Sequence, residues 1–257
     1  MKGIDCNTKI TPALAEAIKQ KGYEFVIRYV GRLKQATFDI DKKEVDIILS
    51  AGLKLGIVQH SPGKPGLLPS KDLGTIYGSN AAGFAKGSGY KESCIIYLDL
   101  EDVNKDYSKR QQDIIDYCNA WYDQVLKAGY VPGIYVGFNT FLTGDQLYTK
   151  LKFQHYWKSL SNVPDVTKRG YEMIQTAGDP IDGMAIDVNT VTGDKLGNSP
   201  VFMAPVVNPA VELVTFLNST TPKVINDTAM WIKKATADKD IFNLLTNMKN
   251  YIEQGGK

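Results

Sequence analysis

The sequence predicts a compact (β/α)8 barrel of the TIM type, with short or missing late helices and a small helical appendage at its C-terminus. Three observations lead there. Short apolar runs alternate with amphipathic helical patterns, and repeated strand–helix units imply parallel strands. Eight strand candidates fall before residue 197. They occupy about 195 residues where such a barrel typically takes ~250, so the shortfall falls on the helices of the last strands. An open doubly wound sheet is the alternative. No phosphate-binding fingerprint supports it, because "GFAKGSG" (83–89) lacks Walker spacing and does not follow a strand.

The elements follow in order. "KGIDC" (2–6) is a short strand. "TPALAEAIKQKG" (11–22) is a helix with Thr11 as N-cap, Pro12 at its first position and Gly22 as its stop. "EFVIRYV" (24–30) is a strand, "DKKEVDIILSAG" (41–52) a helix ended by Gly52, and "LKLGIVQH" (53–60) the third strand. A Pro/Gly-rich loop, "SPGKPGLLPS", leads to a helix near 71–86 whose stripe is Leu73, Ile76, Tyr77, Ala81 and Phe84. "SCIIYLDLE" (93–101) is the clearest strand. The helix at 109–129 places Ile114, Ile115, Cys118, Trp121, Tyr122 and Val125 on one face. "VPGIYVGF" (131–138) and a short helix around 141–150 come next. "FQHYWKS" (153–159), "YEMIQTA" (171–177) and "MAIDVN" (184–189) complete the barrel with little helical sequence between them.

Composition changes after residue 197. The organisation expected is a barrel over 1–197, a linker over 198–204 and a helical appendage over 205–257. A length of 257 residues suits one large domain with such an addition, and 43% hydrophobic residues are enough to bury a full core. The net charge of +2, from 30 basic and 28 acidic residues, is too balanced for a nucleic-acid or membrane-surface partner. Cys6, Cys94 and Cys118 are an odd, widely spaced set, expected as buried thiols rather than disulfides or zinc ligands. With only His60 and His155 present, a His-rich metal site is not expected, and no motif requires a cofactor. No apolar run reaches the roughly 18 residues of a membrane span, and "MKGIDCNTKI" shows no signal peptide.

The acids carry the functional argument. Catalytic groups of a (β/α) barrel sit at the C-terminal ends of its strands. Asp5 ends the first strand, Asp99 and Glu101 end the fourth, and Asp187 lies near the end of the eighth, which closure makes a neighbour of the first. Strand alternation gives Asp99 and Glu101 one face and leaves Asp102 on the other, toward solvent. Two such carboxylates repel, so one should keep its proton to higher pH, as glycoside hydrolysis requires of its general acid. A solvated strand end would explain one acidic pair alone; acids on three strands favour a site. Tyr29, Tyr135, Trp157 and Gln175 lie near strand ends, where rings can stack on sugars and amides can bind hydroxyl or N-acetyl groups. Gln59 and His60 end the third strand and are candidates for substrate binding. Arg28 could pair with a barrel carboxylate or serve a structural ion pair, and His155, early in its strand, reads as structural.

The order "GIDCN", "FVIRYVG", "IIYLDLE", "GIYVGF", "HYWKS", "YEMIQTA" and "IDGMAIDVNT" resembles the glycoside hydrolase family 25 lysozymes. It is most similar to the glycoside-hydrolase-like domain of unknown function 1906, found in bacterial cell-wall and phage-related proteins. The resemblance covers roughly residues 2–197 and implies a flattened barrel with weak late helices. It implies that Glu101 is the general acid, that Asp99 assists the reacting centre, and that Asp5 and Asp187 set charge and orientation. Two groove segments depart from family 25. "IVQHS" lacks the usual aromatic before its His, and "IRYVG" replaces a lysine-alanine-threonine type of strand end.

The expected function is therefore hydrolysis of bacterial peptidoglycan, or a related amino-sugar polymer, by carboxylate acid catalysis. The alternative is a catalytically weak or inactive barrel that binds glycan or serves cell-wall assembly. The expected location is extracellular or cell-wall associated, reached as a phage-type lysin or by non-classical release, with cytoplasmic production left open. Membrane insertion is not expected, and self-association through the C-terminal helices stays open.

Overall fold

The computed structural model describes residues 1–205. Contacts divide the chain into two compact units, Met1–Val206 and Val207–Lys257. The helical appendage expected from residue 205 onward lies outside the described residues, apart from residue 205 itself.

Eight strands form a closed barrel in sequence order. They are β1 (Lys2–Asp5), β2 (Phe25–Val30), β3 (Lys54–Gln59), β4 (Ile95–Leu100), β5 (Val131–Val136), β6 (His155–Lys158), β7 (Met173–Ala177) and β8 (Asp187–Val191). Five helices lie between them: α1 (Pro12–Gln20), α2 (Lys42–Ser50), α3 (Lys71–Gly87), α4 (Gln111–Lys127) and α5 (Gly144–Thr149). None among the described residues is long and apolar enough to cross a membrane.

The helices start where local chemistry places them. Thr11, Asp41 and Ser70 cap α1, α2 and α3 through their side chains, and Thr143 with Gln146 forms a capping box on α5. Helix α3 differs from its expected stripe. Ile76 is 48% exposed, and the buried face is built from Gly74, Tyr77, Gly78, Ala81, Ala82 and Ala85. A Cβ on Gly74 would lie 2.2 Å from the Tyr117 carbonyl oxygen of α4, and one on Gly78 would lie 2.6 Å from that of Trp121. Small residues let the two backbones approach, which a count of large apolar residues cannot register.

Alternation sorts the strand residues into two layers. Phe25, Ile27, Val58, Ile95, Tyr97, Trp157 and Met173 fill the barrel interior. Val26, Val30, Ile57, Ile96, Leu98 and Ile134 join the layer against the helices. The segment 198–204, expected as a linker, carries barrel contacts. Met203 pairs with Leu55, the Val201 carbonyl accepts from the Ile95 amide, and Phe202 stacks on Phe25 with ring centroids 4.5 Å apart. These residues cap the end of the barrel at which β3 and β4 begin.

Strand β8 runs antiparallel to both β7 and β1. The parallel strands that repeated strand–helix units imply hold from β1 to β7, and β8 is a correction to that expectation. Only the nine residues 178–186 separate β7 from β8, whereas a parallel crossover takes a dozen or more. Asp187 accordingly opens β8 instead of closing it. Reversal brings it to the same end of the barrel as the C-terminus of β1, in register with Asp5.

Candidate active site

The mouth of the barrel is formed by the C-terminal ends of β1 to β7 and the N-terminal end of β8. Asp5 is buried there and is the hub of one network. Its Oδ2 accepts from Gln175 Nε2 at 2.9 Å and Asn189 Nδ2 at 2.8 Å, and its Oδ1 accepts from Tyr29 Oη at 3.2 Å. Gln175 also reaches Asp187 Oδ2 at 3.4 Å, and its Oε1 accepts from Tyr135 Oη at 2.9 Å. Burial outweighs these bonds and pushes the Asp5 carboxyl up to about 6, with the Asp187 charge adding to the rise. Asp187 is also raised, by burial.

A second cluster holds the acids of β4. Asp99 is buried and Glu101, one pleat further toward the mouth, is half-buried. Both meet Ser61: its backbone N–H donates to Asp99 Oδ2 at 3.1 Å, and its hydroxyl donates to Glu101 Oε1 at 3.3 Å. Burial is the main reason that both carboxyls stand above their ordinary range. The Glu101 charge adds to the rise at Asp99, and Asp102 adds to that at Glu101. Asp102 itself is exposed, with φ +54°.

Aromatic rings line the same space. The His60 ring stacks on Tyr29 with centroids 4.6 Å apart, and its Nε2 lies 2.7 Å from Oδ1 of the buried Asp39. Burial, the larger effect, lowers the His60 pKa despite that carboxylate. Trp157 lies beneath Tyr135 at 4.5 Å in a T-shaped contact and is 1% exposed, so it underlies the site rather than offering a free face. Among the described residues, Asp99 Oδ1, Asn189 Oδ1 and Trp157 Nε1 are buried without a hydrogen-bond partner. None of the described residues forms a group of three or more His, Cys, Asp or Glu placed to hold a metal ion.

Asp5, Asp99, Glu101 and Asp187 thus meet at one end of the barrel with Tyr29, His60, Tyr135, Trp157 and Gln175. Two expected substrate-binding residues do not. Arg28 points outward from β2, is 0% exposed, and pairs with Glu44 of α2 at 2.6 Å. Alternation decides this, since Phe25, Ile27 and Tyr29 take the inner face of β2. Gln59 also faces outward. It donates to the Gly31 and Tyr77 carbonyls and accepts from Trp121 Nε1 at 2.8 Å.

Four residues of the site are not among the candidates that the sequence assigns a role. Asn189 could have been found by applying alternation to Asp187, because residues two apart share a face. Gly137 follows β5, and a Cβ there would lie 2.5 Å from Glu101 Cβ. Ser61 and Asp39 come from loops, which no periodicity marks.

A family model of the Rv2525c-like, glycoside hydrolase-like domain matches residues 16–191. The chain belongs to that family. A curated relative is the uncharacterised protein FadG of Bacillus subtilis (strain 168). It is 28% identical over 142 residues, which is 51% of this chain and 25% of that protein. The chain thus spans about a quarter of that relative's length. The Mycobacterium tuberculosis Tat-secreted protein Rv2525c superposes with a TM-score of 0.58 at 18% identity, over 76% of this chain and 97% of that one. A muramidase from Trichobolus zukalii gives 0.52 at 16% identity, over 75% and 94%. A family 25 glycosyl hydrolase from Bacillus anthracis gives 0.51 at 12% identity, over 76% and 90%. At these identities the solved structures establish the fold. The Rv2525c-like chain is a glycoside hydrolase-like domain built on the barrel that muramidases use.

Proposed function

We propose that the barrel hydrolyses a glycosidic bond of peptidoglycan or a related amino-sugar polymer by carboxylate acid catalysis. The observation that carries this reading is the pair Asp99 and Glu101, joined through Ser61 and both raised by burial. Such a pair retains a proton over a pH range where isolated carboxylates are ionised. Glu101 is the more exposed member, so it is the one that reaches a bound glycan's leaving oxygen. It gives that oxygen a proton as the bond to the anomeric carbon breaks. Asp99, once ionised, stabilises the positive charge that develops on the sugar ring, and the Ser61 amide favours that form against the burial of the carboxyl. Water adds to the anomeric carbon and loses its proton to a carboxylate. The Asp5 network with Asp187 fixes the far wall of the site, and Tyr29, His60 and Tyr135 supply surfaces for the sugar. The muramidase-like barrel supports the substrate class, and an extracellular or cell-wall location follows from that substrate.

The test is release of soluble reducing ends from purified cell walls. Wild-type protein should release them, and Glu101→Gln should lose on the order of 10²–10⁴-fold. Wild-type release no greater than that of Glu101→Gln, across several wall types, would overturn the reading.

The burial of Asp99 favours one second reading. A carboxyl this deeply buried resists ionisation, and a barrel that kept it neutral would bind glycan without cleaving it. Tight wall binding by wild-type protein with no turnover is the result that selects this alternative.

A further inference from the structure

We propose that Ser61, braced by Arg32, is the positioning residue that sets the geometry and the proton distribution of the Asp99–Glu101 pair. The inference rests on reading that pair as the working acids.

A chain of contacts supports it. The Asn80 side-chain amide donates to the Arg32 carbonyl at 2.7 Å, fixing the loop after β2. The Arg32 guanidinium donates through Nη1 to the Ser61 carbonyl. The His60 amide donates to the Val30 carbonyl at 3.1 Å, which ties the loop after β3 to β2 immediately before Ser61. With its carbonyl and its preceding residue held, Ser61 presents two donors toward β4. The amide goes to the buried acid and the hydroxyl to the half-buried one, 3.1 and 3.3 Å away. Among the described residues Ser61 is hydrogen-bonded to both acids. The two bonds are not equivalent, because side-chain substitution removes the hydroxyl and leaves the amide in place. Mutation can therefore separate them.

The bonds act on unequal partners. A hydrogen bond to a carboxylate favours its ionised form. The Ser61 hydroxyl therefore opposes the burial that raises Glu101, while at Asp99 the amide opposes it most, with a smaller contribution from the hydroxyl. Among the described residues, the other titratable or charged groups near the pair are Asp5 on β1, Tyr29 on β2, Arg32 and His60 in the loops, Asp102 after β4, Tyr117 on α4 and Tyr135 on β5. Arg32 is the fixed cation among them, and it bonds the Ser61 carbonyl, anchoring the residue from which both donors extend.

The experiment uses the full chain with ¹³C-labelled carboxyl groups. Asp99 and Glu101 are titrated by NMR in wild type, Ser61→Ala and Ser61→Thr, alongside the pH profile of reducing-end release. Ser61→Ala should move the Glu101 titration to higher pH with a smaller change at Asp99, and Ser61→Thr should return it toward wild type. Release by Ser61→Ala should fall by about tenfold, in kcat rather than KM, with its profile shifted the same way. Arg32→Met should move both titrations to higher pH, because the brace holds the Ser61 backbone from which both donors extend. A Glu101 titration unchanged in a folded Ser61→Ala protein would overturn the proposal. The titration needs no turnover, so the two readings fail separately. A shifted Glu101 in a protein that releases nothing would sustain the Ser61 assignment and reject the hydrolase.

Discussion

At Gly137 a single hydrogen atom in place of a side chain makes room for the acid. A Cβ there would approach Glu101 Cβ to 2.5 Å and its Oε2 to 2.6 Å, with the Tyr135 ring at 3.0 Å. Gly137→Ala should displace the carboxyl while leaving the buried core alone. A misplacement of about 1 Å can cost ~10²-fold in rate, so reducing-end release should fall by that order while the melting temperature moves little. Gln59 presents the opposite case. It satisfies two carbonyls and the Trp121 indole between the barrel and its helices. Gln59→Leu should cost about 2–4 kcal/mol in denaturant unfolding, because several buried polar groups lose partners. Glycan affinity of the folded variant should not change, which would separate this residue from the substrate-binding set.

Among the elements, α3 and α4 are held by close backbone approach. Gly74→Ala would gain about 1 kcal/mol of helix propensity. It would also press a methyl group into the Tyr117 carbonyl at 2.2 Å, an overpacking cost of up to about 3 kcal/mol. The clash wins, and chemical denaturation should show a net loss of roughly 2 kcal/mol. The elements themselves were legible because strand and helix periods differ and because caps such as Thr11 and Ser70 stand in plain sequence. Asp99 and Glu101 were legible as a pair for the same reason, since alternation alone puts them on one face. The misplacement of Arg28 and Gln59 shows where that reasoning stopped. Each sits near the mouth by position along its strand but on the outer face by the same alternation that turns Asp99 and Glu101 inward. Ser61 and Asp39 were beyond reach, because their contributions depend on how a loop folds back across the barrel.

For the molecule as a whole, stability and site chemistry are set against each other at Asp5. In the folded chain its carboxyl is raised from 3.8 to about 6. The fold therefore holds that proton more tightly than the unfolded chain does. The associated stability is complete below pH 3.8 and is lost as pH rises through about 6. A rise of that size corresponds to about 3 kcal/mol. Asp5→Asn cannot ionise, and its amide can still accept from Gln175 and Asn189 while donating to the Tyr29 oxygen. At pH 8 it should unfold at higher temperature than wild type, with the gap closing as pH approaches 4. Thermal melts across that range would check the sign. Reducing-end release should drop in the same variant, as expected where a site is maintained at the expense of stability.

The closure of the barrel also dictates when the site can exist. Asp5 lies on β1, yet its hydrogen bond from Asn189 of β8 spans 184 positions. During synthesis the chain carries Asp99 and Glu101 long before it carries β8. Until residue 189 has left the ribosome, Asp5 lacks one of its two amide partners and the seam between β1 and β8 is open. A barrel built this way is incomplete until β8 has been made, and β8 is the strand that closes it on β1.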